Sequence, residues 1–308
     1  MAIKTFYDSR DAEDTRDLRF FPAATSGDGR LSKGELEQFN REGFLNRLPA
    51  FGSREIGEIR SYFDDLIQTV LAADDRRNAY SINAYHLVCA GIYDLVLSPV
   101  LLDYVESLLG PCFGSWGNHL FCKLPGDPMA VPLHQDASYW PITPSRTVTV
   151  WIAIDDADPE NSAMEFVPGS HLHGPLPHED LPLDGSRVLK RQVVDPESYG
   201  ERTSNSMRAG EISIHSDLLL HGSQPNRSPR RRAGLTIRYA AGEVRALPGH
   251  EYWLRPGVHC RGELPEHWPH RSRPEGEHPE KLAQFTGDFD GNPMPEPEPE
   301  PTPEPECE

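Results

Sequence analysis

The chain of 308 residues has few cysteines and no long apolar run. Its five cysteines are odd in number and form no Cys-x-x-Cys pair, which argues against a disulfide framework or a zinc ribbon. No stretch reaches the ~18 apolar residues that a membrane helix needs. The charged segment 1–21 also lacks the apolar centre of a signal peptide. These absences favour a reducing compartment, and we expect the protein in the cytoplasm.

Basic residues are in the minority as well. The chain has 30 Lys and Arg against 48 Asp and Glu, a net charge of −18. Proteins that bind nucleic acid or anionic membranes usually carry an excess of Lys and Arg, so we expect neither partner. The tail 291–308 alternates Pro with Glu and contains no Lys or Arg. Such a segment cannot build a core and is expected to be disordered.

Helices are predicted in the N-terminal third of the chain. The first begins with a capping-box pattern, Ser32 followed by Glu35, which we favour over an incomplete calcium loop at 24–35. The second, over 54–73, carries apolar residues at three- and four-residue spacing. The third starts with Pro at its first position and spans 99–110.

Beyond residue 110 the periodicity changes to that of strands. Residues 147–154 alternate, which places Thr149 and Trp151 on one face and Val148 and Ile152 on the other. Further short strands are predicted at 116–123, 129–134, 163–167, 211–214 and 235–239. Several short strands without intervening helices are typical of a β-sandwich or barrel.

The predicted architecture is mainly β with N-terminal helices. An N-terminal extension (1–30) precedes one domain (31–290), and the tail 291–308 follows it. Within the domain we expect a helical part (31–110), a β core (111–241) and an irregular closing segment (242–290).

A histidine and an aspartate two residues apart are the first indication of a metal-binding site. His134 and Asp136 would share one face of a strand, and a single later histidine, His221, would complete two imidazoles and one carboxylate. That set leaves open positions on an octahedral metal ion, as in non-haem Fe(II) oxygenases. An isolated His-x-Asp is weak support, because the chain has 13 histidines.

Two other histidine groups compete for the role of metal site. His215-Ser-Asp217 is a second His-x-Asp, but its nearest partner is only four residues away, so a structural or exposed role is favoured. His171, His173 and His178 follow a Pro-Gly-Ser turn, and we expect surface turn histidines there.

An arginine cluster follows His221. Four arginines lie at 227, 230, 231 and 232, just before an apolar strand. An arginine that enters a strand beside a metal ligand can pair with a carboxylate held on the metal, whereas exposed arginines would form a solvated turn. We expect most of the four to be exposed, although one of them need not be.

Taken together, these motifs resemble the phytanoyl-CoA dioxygenase family of Fe(II)- and 2-oxoglutarate-dependent oxygenases, which includes ectoine hydroxylase. The family pattern is His-x-Asp, a long interval, His-x-Ser-x-x-Asn, and an Arg eleven residues after that His. It is matched by His134, Asp136, His221, Ser223, Asn226 and Arg232. The segments LHQDASYWP, VPGSH and LSKGELEQFNREGF also look like family sequences, and the resemblance covers about residues 31–241.

The resemblance implies a double-stranded β-helix, the jelly roll of cupin-like proteins. It implies iron held by His134, Asp136 and His221, with 2-oxoglutarate and O2 as co-reactants. The far carboxylate of 2-oxoglutarate would meet Arg232, helped by the Ser223 hydroxyl. Two further residues are candidates for cofactor binding: Trp151, for which core packing is an equal alternative, and His119.

The candidate substrate residues are Tyr139 and Trp140, directly after the ligand motif, and Asn83, His86 and Asn118. Tyr139 and Trp140 could equally anchor a loop. The substrate itself is expected to be a small molecule, and the sequence leaves the oligomeric state open.

The resemblance implies hydroxylation of an unactivated C–H bond in a small or medium-sized metabolite, with release of succinate and CO2. Related halogenases replace the carboxylate of the motif with Ala or Gly, so the presence of Asp136 favours oxygenation. Desaturation, epoxidation and ring formation are alternatives. A non-catalytic protein, or a metal-binding cupin-type protein that does not use 2-oxoglutarate, is another.

Overall fold

The computed structural model describes residues 15–25, 29–73, 75, 78–80, 82–182 and 187–282. The predictions for the Pro/Glu tail and for the start of the chain (1–14) fall outside these residues. So does the prediction for the middle of the 24–35 loop.

The described part of the chain contains four α-helices, and three of them were predicted. They span Lys33–Glu42 (α1), Ser53–Ala72 (α2), Ala90–Val96 (α3) and Pro99–Leu109 (α4). The unpredicted helix, α3, is only 7 residues long and has no side-chain cap. Short 3-10 turns lie at Tyr85–Leu87, Asp136–Ser138, Ser170–His173, Pro196–Tyr199, Glu251–Leu254 and Pro279–Leu282.

Helix α1 confirms the capping box. The Ser32 hydroxyl accepts a hydrogen bond from the Glu35 backbone N–H at 3.3 Å, and the Glu35 carboxylate accepts one from the Ser32 N–H at 2.7 Å. These contacts satisfy N–H groups that the first helical turn otherwise leaves unpaired. Gly43 ends the helix in the left-handed conformation, with φ of 84°.

Fourteen strands are found among the described residues. They are Phe44–Pro49 (β1), Phe113–Lys123 (β2), Val131–His134 (β3), Ile142–Thr143 (β4), Thr147–Ala153 (β5), Glu165–Phe166 (β6), His178–Asp180 (β7), Arg191–Val193 (β8), Thr203–Ser204 (β9), Glu211–Ser216 (β10), His221–Ser223 (β11), Arg232–Ala241 (β12), Arg245–Ala246 (β13) and Val258–Arg261 (β14).

Two antiparallel sheets form the core of the molecule. Six of the described strands pair in the order β1-β10-β5-β12-β2-β14, and four pair in the order β3-β11-β6-β9. Strands far apart in sequence are neighbours in both sheets, as in a jelly roll. The fold is therefore mainly β with N-terminal helices, as the sequence predicted.

Strand β5 has the two faces that its alternation predicted. Val148, Val150 and Ile152 join the large core cluster that also contains the buried residues of the helices. Trp151 and Ala153 belong to a separate cluster on the opposite face of the strand. The helices thus cover one face of the large sheet and leave the other face for the cleft described below.

The helical part also contains a strand that the sequence did not predict, β1. It pairs with β10, and its register shifts between Leu45 and Leu48 around Arg47, which has φ of 55°. Such a bulge breaks the alternation on which strand prediction depends.

The closing segment is less irregular than expected. Strand β14 pairs with β2 and extends the large sheet at its edge. Glycines bound this short strand, and a His-Cys-Arg run makes it too polar to be recognised from hydrophobicity. Trp268 in the same segment is buried and donates to the Gly242 carbonyl at 3.0 Å.

None of the helices in the described ranges combines the length and hydropathy that crossing a bilayer requires.

The close contact between Gly234 on β12 and Trp151 generates a stability prediction. A Cβ atom on Gly234 would lie 1.9 Å from Cζ2 of Trp151, whose side chain is buried and cannot move aside. We expect Gly234→Ala to lower the free energy of unfolding by about 1–3 kcal/mol in urea denaturation.

Gly57, exposed in the middle of α2, is the matched control. A Cβ atom added to Gly57 would have no neighbour within 4 Å, so Gly57→Ala should raise the free energy of unfolding by about 0.5–1 kcal/mol. Equal effects of the two substitutions would contradict the assigned packing.

Candidate metal centre and its cleft

Two histidines face each other across neighbouring strands. His134 at the end of β3 is the register partner of His221 at the start of β11, and their ring centroids lie 4.2 Å apart. Asp136 does not continue the strand as predicted, because β3 ends at His134 and Asp136 opens a 3-10 turn. Its carboxylate Oδ1 still lies 3.6 Å from His134 Nε2. One potential ligand atom from each of the three residues lies within 4.8 Å of the others.

Backbone carbonyls fix the tautomers of both histidines. Nδ1 of His134 lies 2.8 Å from the Pro132 carbonyl, and Nδ1 of His221 lies 2.9 Å from the Leu219 carbonyl. A carbonyl only accepts, so each Nδ1 carries the proton and each Nε2 is left with a lone pair. Burial, followed by the neighbouring histidines, lowers the pKa of His221 and keeps its ring neutral. Neutral imidazoles with free Nε2 atoms are suited to bind a metal ion.

The third group, Asp136, is held in its charged form. Burial alone would raise the pKa of this carboxyl, but the rings of His134 and His215 outweigh burial and hold the pKa well below its usual range. The Thr149 hydroxyl donates to Oδ2 of Asp136 at 3.1 Å. Two imidazole nitrogens and one carboxylate oxygen form a donor set that suits Fe(II) and related divalent ions.

The second His-x-Asp does not form a separate metal site. His215 is buried, not exposed, and its Nε2 lies 3.7 Å from Oδ2 of Asp136, on the wall of the same cleft. Asp217 points elsewhere and accepts a hydrogen bond of 2.6 Å from the Ser145 hydroxyl. Strand β10 ends at Ser216, so Asp217 lies beyond the strand and its side chain has different surroundings from that of His215.

The histidines of the 171–178 segment form no metal-binding group among the described residues. His171 is buried, which corrects the expectation of a surface histidine: its ring meets the edge of Phe20 at 4.4 Å, beside Gly43. The absence of a side chain on Gly43 makes room for that ring. His173 is exposed as expected, and His178 Nδ1 contacts the Leu176 carbonyl at 2.8 Å.

The members of the arginine cluster differ in exposure, and one of them is buried. Arg230 is exposed and pairs with Asp158 at 2.8 Å, and Arg231 pairs with Asp155 at 2.8 Å. Arg232 is buried, and among the residues that the structure describes no carboxylate pairs with it. Burial lowers the pKa of Arg232, but an arginine remains charged at neutral pH.

Arg232 is held by neutral groups that leave part of its guanidinium free. Nε donates to the Ser162 carbonyl at 3.1 Å and Nη2 to the Ser223 hydroxyl at 3.4 Å. The guanidinium carbon lies 5.7 Å from the centre of the Trp151 ring, at the distance of a cation–π contact. Trp151 itself is absent from the cleft wall, so it combines core packing with a contact to Arg232.

Asn226 of the motif has a supporting position. Its amide donates to the carbonyls of Leu124 at 3.0 Å and Arg230 at 2.7 Å. It therefore ties the loop before Arg232 to the end of β2 and does not reach the cleft.

A single cleft contains the three candidate ligands and Arg232. It encloses about 880 Å³, including the solvent at its mouth. The described residues that line it are Asn83, Phe121, Val131, His134, Asp136, Tyr139, Trp140, Thr149, Met164, Leu189, His215, His221, Gly222, Ser223, Arg232, Thr236, Arg238 and Trp253.

The structure brings some of the predicted substrate residues to this cleft and not others. Tyr139, Trp140 and Asn83 line it. His86 and Asn118 lie behind the wall: the Asn118 amide contacts His86 Nδ1 at 2.5 Å, and His86 Nε2 contacts the Pro256 carbonyl at 2.8 Å.

His119, the candidate for cofactor binding, also lies off the wall. Its Nε2 is 2.6 Å from the Tyr80 carbonyl. Burial, helped by the charge of Arg238, lowers the pKa of His119 to about 3.

Several residues of the cleft wall were not among the predicted site residues, and four of them have polar or aromatic side chains close to the ligands or on other segments. Thr149 and His215 contact Asp136, Arg238 lies on β12, and Trp253 comes from the closing segment. The alternation of β5 could have indicated Thr149, which shares a face with Trp151. His215, Arg238 and Trp253 could not have been recognised in this way, because their positions in the cleft depend on contacts between distant parts of the chain.

The sequence matches the family model described as phytanoyl-CoA dioxygenase over residues 39–234. It is 30% identical over 148 residues to the peroxisomal phytanoyl-CoA dioxygenase of Bos taurus, which covers 46% of this chain and 44% of that protein. It is 32% identical over 170 residues to a probable alpha-ketoglutarate-dependent hypophosphite dioxygenase of Stutzerimonas stutzeri, covering 53% of this chain and 58% of that protein. The chain thus spans about half the length of these curated relatives.

Among solved structures, the chain is similar to the apo form of the non-heme monooxygenase ThoJ. The TM-score is 0.67 at 25% sequence identity, and the match covers 81% of this chain and 92% of that one. The similarity therefore extends over most of both chains.

The buried carboxyl of Asp217, behind Asp136, generates a prediction about pH. Burial raises its pKa from the ordinary 3.8 to about 6. Between these values the folded protein holds a proton that the unfolded chain releases, so the stability that Asp217 contributes is lost as pH rises through about 6. Relative to wild type, Asp217→Asn should therefore gain about 2–3 kcal/mol between about pH 4 and pH 7.

The measurement is urea denaturation of both proteins across this pH range. Taking the difference removes titrations that the two proteins share, and any constant effect of the amide appears as an offset. A difference that does not change with pH would contradict the buried, protonated state of Asp217.

Proposed function

The chain belongs to the phytanoyl-CoA dioxygenase family, and from this membership we propose that it is an Fe(II)- and 2-oxoglutarate-dependent dioxygenase. Its reaction would be hydroxylation of an unactivated C–H bond in a small or medium-sized metabolite, with release of succinate and CO2. The observation that carries the proposal is one cleft with two buried histidines, an aspartate beside them and a buried arginine that lacks a carboxylate partner among the described residues.

We propose that His134, Asp136 and His221 hold the iron. The free Nε2 atoms and the charged carboxylate supply three ligands on one side of the ion. The remaining positions would face the cleft, where 2-oxoglutarate, O2 and the substrate can approach. Thr149 orients the Asp136 carboxylate through its hydrogen bond.

Arg232 and Ser223 are proposed to bind the far carboxylate of 2-oxoglutarate. A buried guanidinium without an anion is costly, and a bidentate pair with a carboxylate would satisfy it. Ser223 already contacts Nη2 of Arg232 and lines the cleft. Trp151 would support Arg232 through its ring, without contacting the cosubstrate from the cleft wall.

Iron with bound 2-oxoglutarate supplies the oxidising chemistry, and the protein supplies geometry and excludes water. Tyr139 and Trp140 give the cleft an apolar wall directly beside the ligands. The charged Asp136 keeps three protein ligands on the ion, which favours oxygenation over halide transfer.

We propose the cytoplasm as the location of the enzyme. The described cysteines, Cys89, Cys112, Cys122 and Cys260, are all free thiols, as expected in a reducing compartment. The proposed substrate is a small molecule, because the cleft is enclosed by side chains on several sides.

Removing the carboxylate of Asp136 tests the metal site. We expect Asp136→Ala to lose the charge-transfer absorption that Fe(II) and 2-oxoglutarate produce when mixed anaerobically with the wild-type protein. Substrate-dependent succinate release should be lost with it, because one ligand of three is missing. Asp158→Ala, which removes a partly exposed carboxylate that pairs with Arg230, serves as the control. Retained absorption in Asp136→Ala would refute the ligand assignment.

Replacing Arg232 by lysine tests the cosubstrate site. Lysine keeps the charge but lacks the planar guanidinium group, which can donate two parallel hydrogen bonds to a carboxylate. The pair with the carboxylate should therefore weaken by about 2–5 kcal/mol. We expect the KM for 2-oxoglutarate to rise by about 30-fold or more. Arg231→Lys is the matched control, because Arg231 already pairs with Asp155 and Asp64. A KM unchanged in Arg232→Lys would show that the carboxylate binds elsewhere.

A further inference from the structure

A second arginine in the cleft indicates what kind of substrate the enzyme accepts. We propose that Arg238 binds an anionic group of the substrate, a carboxylate or a phosphorus or sulfur oxyanion, on a molecule whose body is apolar. This inference rests on the proposed function, because it assumes that 2-oxoglutarate occupies Arg232.

Arg238 lies too far along β12 to share a ligand with Arg232. Both side chains line the cleft, as does Thr236 between them, because residues two apart on a strand share a face. Six residues of strand correspond to about 20 Å between their backbones. 2-Oxoglutarate is much shorter than this span. The two arginines therefore enter the cleft wall at well-separated points of the strand, on either side of Thr236.

The guanidinium of Arg238 has no polar partner within the described chain. Its Nε is enclosed and makes no hydrogen bond to a described residue. The group lies beside a pair of indoles instead, with its carbon 5.5 Å from the centre of Trp116 and 5.4 Å from that of Trp140. These rings hold the cation in place but leave its N–H groups unsatisfied, which is uncommon for enclosed polar groups.

The charges of the cleft also favour an anion beside Arg238. Asp136 is the only acidic side chain among the described residues of the cleft wall, and it is committed to the metal ion. A divalent ion, the dianion 2-oxoglutarate, Asp136 and Arg232 together balance. Arg238 is then left with one uncompensated positive charge, which a singly charged substrate would neutralise.

The surroundings of Arg238 indicate the rest of the molecule. Trp140 and Trp253 line the cleft, with the ring of Trp140 beside Arg238, and Trp116 packs against both tryptophans, at 4.6 Å from Trp140 and 6.2 Å from Trp253. Flat apolar side chains favour a ring or an unsaturated chain over a strongly hydrated body. The substrate class is therefore a small apolar molecule that carries one anionic group.

Probe binding to the intact protein tests the proposal. The full chain is saturated anaerobically with Fe(II) and 2-oxoglutarate, so that Arg232 is occupied. It is then titrated with benzoate, 3-phenylpropionate, phenylphosphonate and benzenesulfonate, and with the neutral benzamide, by isothermal titration calorimetry. We expect at least one anion to bind about 10- to 100-fold more tightly than benzamide. The ranking of the anions identifies the preferred acid.

Variants assign that preference to Arg238. Arg238→Gln should abolish the preference for anions. Arg238→Lys should retain part of it, because lysine keeps the positive charge but lacks the paired N–H donors of the guanidinium group. Arg245→Gln, which removes an exposed arginine on β13, should leave the preference unchanged. Circular dichroism checks that each variant is folded, and if Arg238→Gln fails to fold, Arg238→Lys carries the test. Equal binding of benzoate and benzamide by the wild type, or an unchanged preference in the folded Arg238 variants, would overturn the proposal.

The same titration without metal and cosubstrate separates this proposal from the proposed function. If the protein binds neither Fe(II) nor 2-oxoglutarate, yet Arg238→Gln weakens benzoate binding while Arg232→Gln does not, only the proposed function fails. If metal and cosubstrate bind normally and Arg238→Gln changes nothing, only the assignment of Arg238 fails.

Discussion

The antiparallel pairing of β3 with β11 is the constraint on which the cleft depends. It sets His134 opposite His221, and in each strand the histidine Nδ1 is tied to the carbonyl two residues earlier. A shift of the register by one residue would turn one of the rings to the other side of the sheet. Ring position and tautomer are thus both fixed by the backbone, before any metal ion binds. Asp136 completes the set only because β3 ends at His134 and the chain turns.

Strand β12 provides another part of the cleft wall. Its inward face begins with Arg232, leaves space at Gly234 for the Trp151 ring, and continues to Arg238. The glycine is needed because Trp151 lies against the strand and also contacts Arg232. One strand therefore places two arginines, whose backbones lie about 20 Å apart, on the wall of one cleft.

Local signals in the sequence predicted much of this structure. The capping box at Ser32, the proline that opens α4 and the alternation of β5 depend on neighbouring residues, and all three were confirmed. Strand β1 escaped prediction because a bulge at Arg47 breaks its alternation. His171 was expected at the surface, but the α1 terminus at Gly43 and the ring of Phe20 bury it. Such packing between distant segments leaves no trace in local sequence.

The candidate site divides in the same way. A motif with fixed spacing identified His134, Asp136, His221 and Arg232, and the structure brings all four to one cleft. Arg238 belongs to no such motif, and on sequence alone it is one polar residue within an apolar strand. Its importance depends on what it lacks, because partners for Arg230 and Arg231 are found on other segments and none is found for Arg238 among the described residues.

The net charge of −18 gains a physical meaning from this distribution. Acidic residues pair with the exposed members of the arginine cluster, as Asp158 does with Arg230 and Asp155 with Arg231. Inside the cleft the balance reverses, since two arginines face a single aspartate among the described residues of its wall. An unpaired buried cation destabilises the ligand-free protein, whereas it strengthens the binding of an anion that replaces its lost hydration. In this acidic protein, anionic ligands would therefore neutralise the positive charge of the two arginines in the cleft.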